Sequence, residues 1–486
     1  CDKAIEQGLE VADVHYTRAM AQDALGNASQ AQADCDAALR LDPEHARAYN
    51  HRGLLNIRAG RLEDALGDMN AAIEFAPDWF HPRGNRGALH ALMGHHEDAV
   101  EDFSEVIRQL TALESSPSSD SGSAWSESVP AQPYPISDLA ELLAQTYGNR
   151  GMALAELGRL EAAREDVEEA VRLAPLVPRS YELRGQFYLR QGDYVKAVED
   201  FTRRLELEPK PVAEAYLERG QAYLAGNEAE KALADFERVV ELEPDRAAGY
   251  ALRSAARREL GARDEALASA ETAMQLDPQD PWSRHSRAVA ALDLGAAETA
   301  IADLTALLKR FPDAHHARLT RSRAFATKGL ITLAVADIED VLEKQPGDPN
   351  ALHSRAWLNA RQGDYAAALK DLQALLAAHP DHPVGLNALS WLRATCPEVE
   401  FRDGESAVTL ALRCLEILGK DNVHVVDTLA AAYAEAGRFD EACATQEKAL
   451  ELAGEARRAP YQKRLDLYRE GRAYRVDKET PDNDLL

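Results

Sequence analysis

The sequence predicts an all-α fold in which helical hairpins stack side by side into one α-solenoid, and three observations carry that prediction. A proline closes each unit at Pro43, Pro77, Pro175, Pro209, Pro244, Pro278, Pro312, Pro346 and Pro380, and apart from one long gap every step is 34 or 35 residues. A glycine marks a turn inside each unit, at Gly26, Gly60, Gly94, Gly158, Gly192, Gly261, Gly295, Gly329, Gly363 and Gly437. Two further places are small: one seven residues before the turn (Gly53, Gly87, Gly151, Gly185, Gly220, Ala288, Ala356) and one five residues after it (Ala65, Ala99, Ala163, Ala197, Ala232, Ala300, Ala368). Self-similarity at such a period belongs to repeat arrays, in which each unit buries its apolar face only against its neighbours.

The stretch Ser180 to Pro209 shows why each half of the unit is a helix. Tyr181, Leu183, Phe187 and Tyr188 recur at helical spacing before the break at Gln191-Gly192-Asp193. Val195, Ala197, Val198, Phe201 and Leu205 then repeat the rhythm until Pro209 stops it. The turn favours glycine because a residue leaving a helix in the left-handed region carries no steric penalty without a β-carbon; where Gly226 is displaced, Asn227 fills the slot as the next best residue. Small residues at the two flanking places let paired helices approach closely. This order of aromatic or apolar, small, turn, alanine, bulky (Phe103, Phe201, Phe236), alanine and proline resembles the tetratricopeptide repeat, over nearly the whole chain. The resemblance implies a right-handed superhelix of about twelve hairpins whose first helices line a concave face.

In chain order, residues 1–11 read as the end of a second helix, since Cys1, Ala4 and Ile5 align with Cys35, Ala38 and Leu39 at a distance of 34. The expectation is therefore a chain that begins within a repeat. Residues 12–111 hold three repeats, and residues 112–136, rich in Ser and Pro and including Trp125 and Tyr134, read as a surface insertion without apolar periodicity. The period resumes in phase, because Gly151 follows Gly87 by 64 residues, or 34 plus 30. Residues 137–382 hold seven repeats, with one extra residue near Lys210-Pro211. Residues 383–454 hold two divergent repeats, the first lengthened around Pro397 to Gly404. Residues 455–474 read as a capping helix with Tyr461, Leu465 and Tyr468 on one face, and residues 475–486 as a polar tail.

Composition excludes several functions. Lys and Arg number 55 against 82 Asp and Glu, a net charge of −27, which argues against affinity for nucleic acid or an anionic membrane surface. Nothing approaches the length of a membrane span, and the compartment defaults to the cytoplasm. Cys1, Cys35, Cys396, Cys414 and Cys443 form no disulfide or metal framework. The pairs His95-His96 and His315-His316 have no accompanying ligand cluster, so neither metal nor cofactor is expected. No phosphate loop, nucleophile elbow or catalytic set occurs, so the chain reads as a non-enzymatic interaction scaffold. The alternative, drawn from what large arrays of this family often accompany, is a regulatory or targeting region of a kinase, protease or transferase encoded upstream.

Two patterns bear on the site. Arginine stands immediately before the first small place at Arg18, Arg52, Arg86, Arg150, Arg184, Arg219, Arg253, Arg287, Arg321 and Arg355, and an aspartate follows 16 residues later in every case but Arg253. That co-occurrence predicts an ion pair between the two helices of one hairpin rather than an anion-binding track. The family's concave face, applied to this chain, presents Trp282, His285, His316, Arg323, His353, Trp357, Arg361 and Trp391, against mostly Ala, Leu and Gln elsewhere. Aromatic residues and arginine anchor interfaces, so these eight are the candidates for holding a peptide or protein partner. The competing reading has the tryptophans fill space between neighbouring first helices. The charged clamp that some relatives close on a chaperone tail is not expected: Asn85 and Asn149 are present and its other members are not.

Overall fold

The computed structural model describes residue 1 and residues 11–114, 136–419, 421–453 and 458–476. Among the described residues every regular element is a helix, and the chain divides into two compact units, residues 1–260 and 261–486. The predicted second-helix remnant, most of the Ser/Pro-rich insertion with Trp125 and Tyr134, and all but the first two residues of the tail lie outside the described residues.

The first unit contains α1 (Ala12–Ala24), α2 (Ala28–Leu41), α3 (Ala46–Arg58), α4 (Leu62–Phe75), α5 (Phe80–Leu92), α6 (His96–Glu114), α7 (Ile136–Glu156), α8 (Leu160–Leu173), α9 (Pro178–Arg190), α10 (Tyr194–Leu207), α11 (Ala213–Ala225), α12 (Ala229–Leu242) and α13 (Ala247–Glu259). The second contains α14 (Arg263–Leu276), α15 (Pro281–Asp293), α16 (Ala297–Arg310), α17 (His315–Thr327), α18 (Ile331–Lys344), α19 (Pro349–Gln362), α20 (Tyr365–Ala378), α21 (Pro383–Thr395), α22 (Gly404–Leu418), α23 (Val423–Glu435), α24 (Phe439–Leu452) and α25 (Arg458–Arg469). Within each unit consecutive helices pair as hairpins, and each hairpin packs on the next.

Both devices that the sequence proposed for the hairpin are present. The turn residues are left-handed, and the slot that lacks glycine is held by Asn227 at φ 62°. The small place is small because the partner helix leaves no room: a β-carbon on Gly220 would lie 2.6 Å from the Phe236 ring, and one on Gly53 would lie 2.8 Å from the Met69 methyl. Phe236 and Met69 are themselves fully buried, so the neighbour cannot swing away.

Two regions depart from the period. Where the insertion interrupts the repeat, α6 runs 19 residues and α7 runs 21, whereas α5 and α8 run 13 and 14. The added turns are held by Leu110, Leu139 and Leu143, buried with Phe80 and flanked by Leu113 and Leu142. The Nη1 of Arg150 on α7 still donates to Ser104 Oγ on α6 at 3.0 Å, so the hairpins stack directly across the insertion. At the other end, a 3-10 turn at Val399–Phe401 joins α21 to α22. After α25 the chain doubles back, and the Val476 N–H donates to the Thr395 carbonyl at 3.0 Å.

Candidate functional site

The repeated arginines, expected to form ion pairs within each hairpin rather than an anion-binding track, are committed to structure by the fold. Nine of the ten named above, all but Arg253, donate through Nε and Nη2 to the carboxylate 16 residues on; in the Arg219–Asp235 pair these bonds are 2.8 and 2.7 Å. Hydrogen bonding to Asp235 holds the Arg219 guanidinium above its ordinary range. Among the described residues, Nη1 reaches the preceding hairpin as well in five cases. Arg52 bonds Asp36 at 2.8 Å, Arg86 bonds Asn70 at 2.7 Å, Arg150 bonds Ser104 as above, Arg219 bonds Thr202 at 3.3 Å and Arg321 bonds Thr305 at 3.2 Å. Each acceptor stands two residues after its own hairpin's aspartate, so one guanidinium clips two hairpins together. The spacing of 16 was legible in the sequence; the second bond was not, because its acceptor changes among Asp, Asn, Ser and Thr.

The eight candidate groove residues fall into two groups. Trp282 is 65% exposed and lies parallel to His316, with ring centroids 5.6 Å apart and planes at 14°. His285 meets the edge of His316 at 5.0 Å, and its Nε2 lies 3.2 Å from Thr320 Oγ1. These three make a continuous aromatic surface along α15 and α17. Arg323 is exposed and lies 3.7 Å from Asp293.

The other group surrounds a pocket partly open to solvent. His353, Trp357 and Arg361 of α19 form one side, Tyr365, Ala368 and Leu372 of α20 the back, Ala388, Trp391 and Leu392 of α21 the other side, and Thr395, Cys396, Pro397 and Val476 the end. Arg361 is exposed at the mouth, its guanidinium carbon 5.2 Å from the Trp357 ring centroid. Burial pushes the His353 imidazole below its ordinary range, with His382 acting in the same direction, which keeps it neutral at pH 7. A second pocket adjoins the first across Trp357 and includes Arg323, Leu319 and Ala326.

Trp391 is not a groove surface residue. It is 4% exposed, packed beside Tyr474 with ring centroids 6.0 Å apart and beneath the Arg464 guanidinium at 5.5 Å. It closes the pocket from inside. Nothing periodic could have shown this, since Tyr474 and Val476 arrive from about 80 residues away along the chain.

The corresponding first-helix face of the first unit is built differently. Its pocket includes Glu156, Arg179, Gln186 and Arg190. There Arg190 pairs with Glu156, Arg179 pairs with Glu182, and Gln186 Nε2 donates to Glu218 Oε1 at 2.6 Å. Asn85, a candidate clamp residue, donates to Asn50 Oδ1 at 2.9 Å. His95, which the sequence left without companions, meets His90 and Asp98 with ligand atoms within 4.8 Å of one another; His95 and Asp98 are exposed beside the turn, as solvated side chains often are.

Hairpins that pack in series within each unit, first helix beside first helix, define a helical-repeat protein. Models of the tetratricopeptide repeat match residues 16–78, 149–214, 285–349, 328–383 and 353–392, and again 213–246 and 425–455. Together they cover more than half of the chain, and the chain belongs to the tetratricopeptide repeat family, whose fold serves in general as a protein-interaction scaffold. It is similar to the APC/C hetero-tetramer Cut9–Hcn1, at 12% identity and a TM-score of 0.47, over 94% of this chain and 96% of that one. It is also similar to a tetratricopeptide repeat protein from Parabacteroides merdae (17%, TM-score 0.41, 60% of this chain and 99% of that one) and to yeast Tom70 (15%, TM-score 0.33, 94% and 96%). No curated protein matches the chain. No described helix is long and apolar enough to cross a membrane.

Proposed function

We propose that this chain is a non-enzymatic scaffold that binds a peptide or partner helix along the first helices α15, α17, α19 and α21, the face that is concave in the family's geometry. The observation that carries the reading is the occurrence of an exposed aromatic surface on α15 and α17 and an apolar pocket between α19 and α21 on one run of first helices, whereas charged side chains that pair with one another line the corresponding pocket of the first unit. Exposed aromatic side chains and a preformed apolar pocket on one face are the composition of an interface. The test is a photo-crosslinking residue placed at Trp282 and, as a control on the second-helix side, at exposed Lys309. Crosslinks to a partner protein are expected from position 282 in large excess over position 309, and equal yield from the two would sink the assignment.

A further inference from the structure

Resting on that reading, we infer that the pocket between α19 and α21 takes one large apolar side chain from an acidic segment of the partner, whose carboxylate pairs with Arg361. Two features of the pocket argue for this occupant.

The first is charge. Asp and Glu make up 82 of 486 residues, yet none lines this pocket or the one that adjoins it across Trp357, while Arg361 and Arg323 do. Among the described residues Arg361 makes no ion pair; its contact is the Trp357 ring at 5.2 Å. That distinguishes it from the clip arginines of the same helices, such as Arg321 and Arg355, which are tied to Asp337 and Asp371. A guanidinium stacked on an indole is held in place without being neutralised, and its donors remain available to a planar carboxylate. In a chain of net charge −27, a pocket with no carboxylate in its lining and an unneutralised arginine is a place where an acidic ligand meets reduced repulsion.

The second feature is shape. Tyr365, Leu372, Leu392, Ala368 and Ala388 make the interior apolar, and His353, neutral at pH 7, adds no charge to it. Alanines at 356, 360, 368 and 388 leave space that larger residues would close, and the lining suits an apolar side chain.

The test is selection of random short linear peptides displayed on phage against the full folded chain, followed by fluorescence anisotropy of the recovered peptides. Peptides that centre a large apolar residue beside Asp or Glu are expected. Their affinity should fall about tenfold or more on Arg361→Glu, and return when the peptide's acidic residues are exchanged for lysine. Because Arg361 is exposed, circular dichroism should show the variant folded as the parent is. If the recovered peptides lose binding on Trp282→Ala but ignore both Arg361→Glu and their own acidic residues, the groove reading stands and this inference falls. If no peptide is recovered, both fall.

Discussion

The interior hairpins and the C-terminal end solve the same problem with opposite materials. In the interior, of which residues 213–242 are representative, Arg219 remains partly solvated, grips Asp235 of its own hairpin and reaches Thr202 of the one before. At the end the clip position is Leu389 and then Leu429, and the charge pair has moved inside. Arg464 of α25, 1% exposed, donates through Nε to Asp427 of α23 at 2.9 Å and lies over the rings of Trp391, Tyr461 and Tyr474. An interior hairpin has a neighbour on each side, so a half-exposed cation spanning two hairpins costs little desolvation. The final hairpin must instead be sealed by a single helix, and only a buried anchor fixes that helix in one register.

The largest effect should come from breaking the sealed end. Asp427→Ala leaves Arg464 inside the core without its carboxylate, which costs about 3–5 kcal/mol. The loss should be local. Burial pushes the Cys414 thiol up to about 11 and Cys35 up to about 12, so both are protonated and shielded while folded. Mass-spectrometric mapping of alkylation in dilute urea should show Cys414 modified at lower denaturant in the variant, with Cys35 unchanged. Simultaneous opening of both thiols would mean that the end does not unfold separately.

The interior clip should be worth less. Arg219→Ala or Asp235→Ala is expected to cost about 2 kcal/mol, because Asp235 is buried while water screens much of the arginine. The double mutant should fall well short of the sum, and additive losses would show that the pair does not hold the hairpin. Backbone crowding gives a comparison of similar size. Gly220→Ala drives a β-carbon into the fully buried Phe236 and should destabilise by about 1–3 kcal/mol. Gly67→Ala, on the neighbour-free side of α4, should instead stabilise by about 0.5–1 kcal/mol through helix propensity. Chemical denaturation of the two variants checks both signs.

These contrasts also mark what could be read from the sequence. The hairpins, their turns, the small places and the spacing of 16 all follow from rules that act within one period, so recurrence made them visible. Asn227 is an instance: its left-handed φ followed from the slot alone. What recurrence could not show depends on contacts without a period. The added turns of α6 and α7 rest on Leu110, Leu139 and Leu143, which occur once. Trp391 looked like a groove residue because its register said so; a returning segment buried it. Four of the eight groove candidates do converge on one pocket, but its apolar back, Tyr365 and Leu372, belongs to second-helix positions that a first-helix reading leaves out.

Acid should give the smallest effect and the sharpest distinction between the two regions. Burial holds the imidazoles of His51, His81 and His353 below their ordinary range. For a base whose folded-state pKa is depressed, the unfolded chain takes up the proton first. The contribution to stability is therefore intact above the ordinary histidine value of 6.5 and is lost as pH falls through the lower folded value. All three histidines lie in the interior repeats, and residues 383–476 contain only His424. Between pH 7 and pH 5, hydrogen exchange corrected for its intrinsic rate should quicken in α3, α5 and α19 while α23 and α25 stay protected. His353→Gln should flatten the response of α19 alone, because glutamine has no proton to gain; an undiminished response would place the acid sensitivity in the carboxylates of the clips instead.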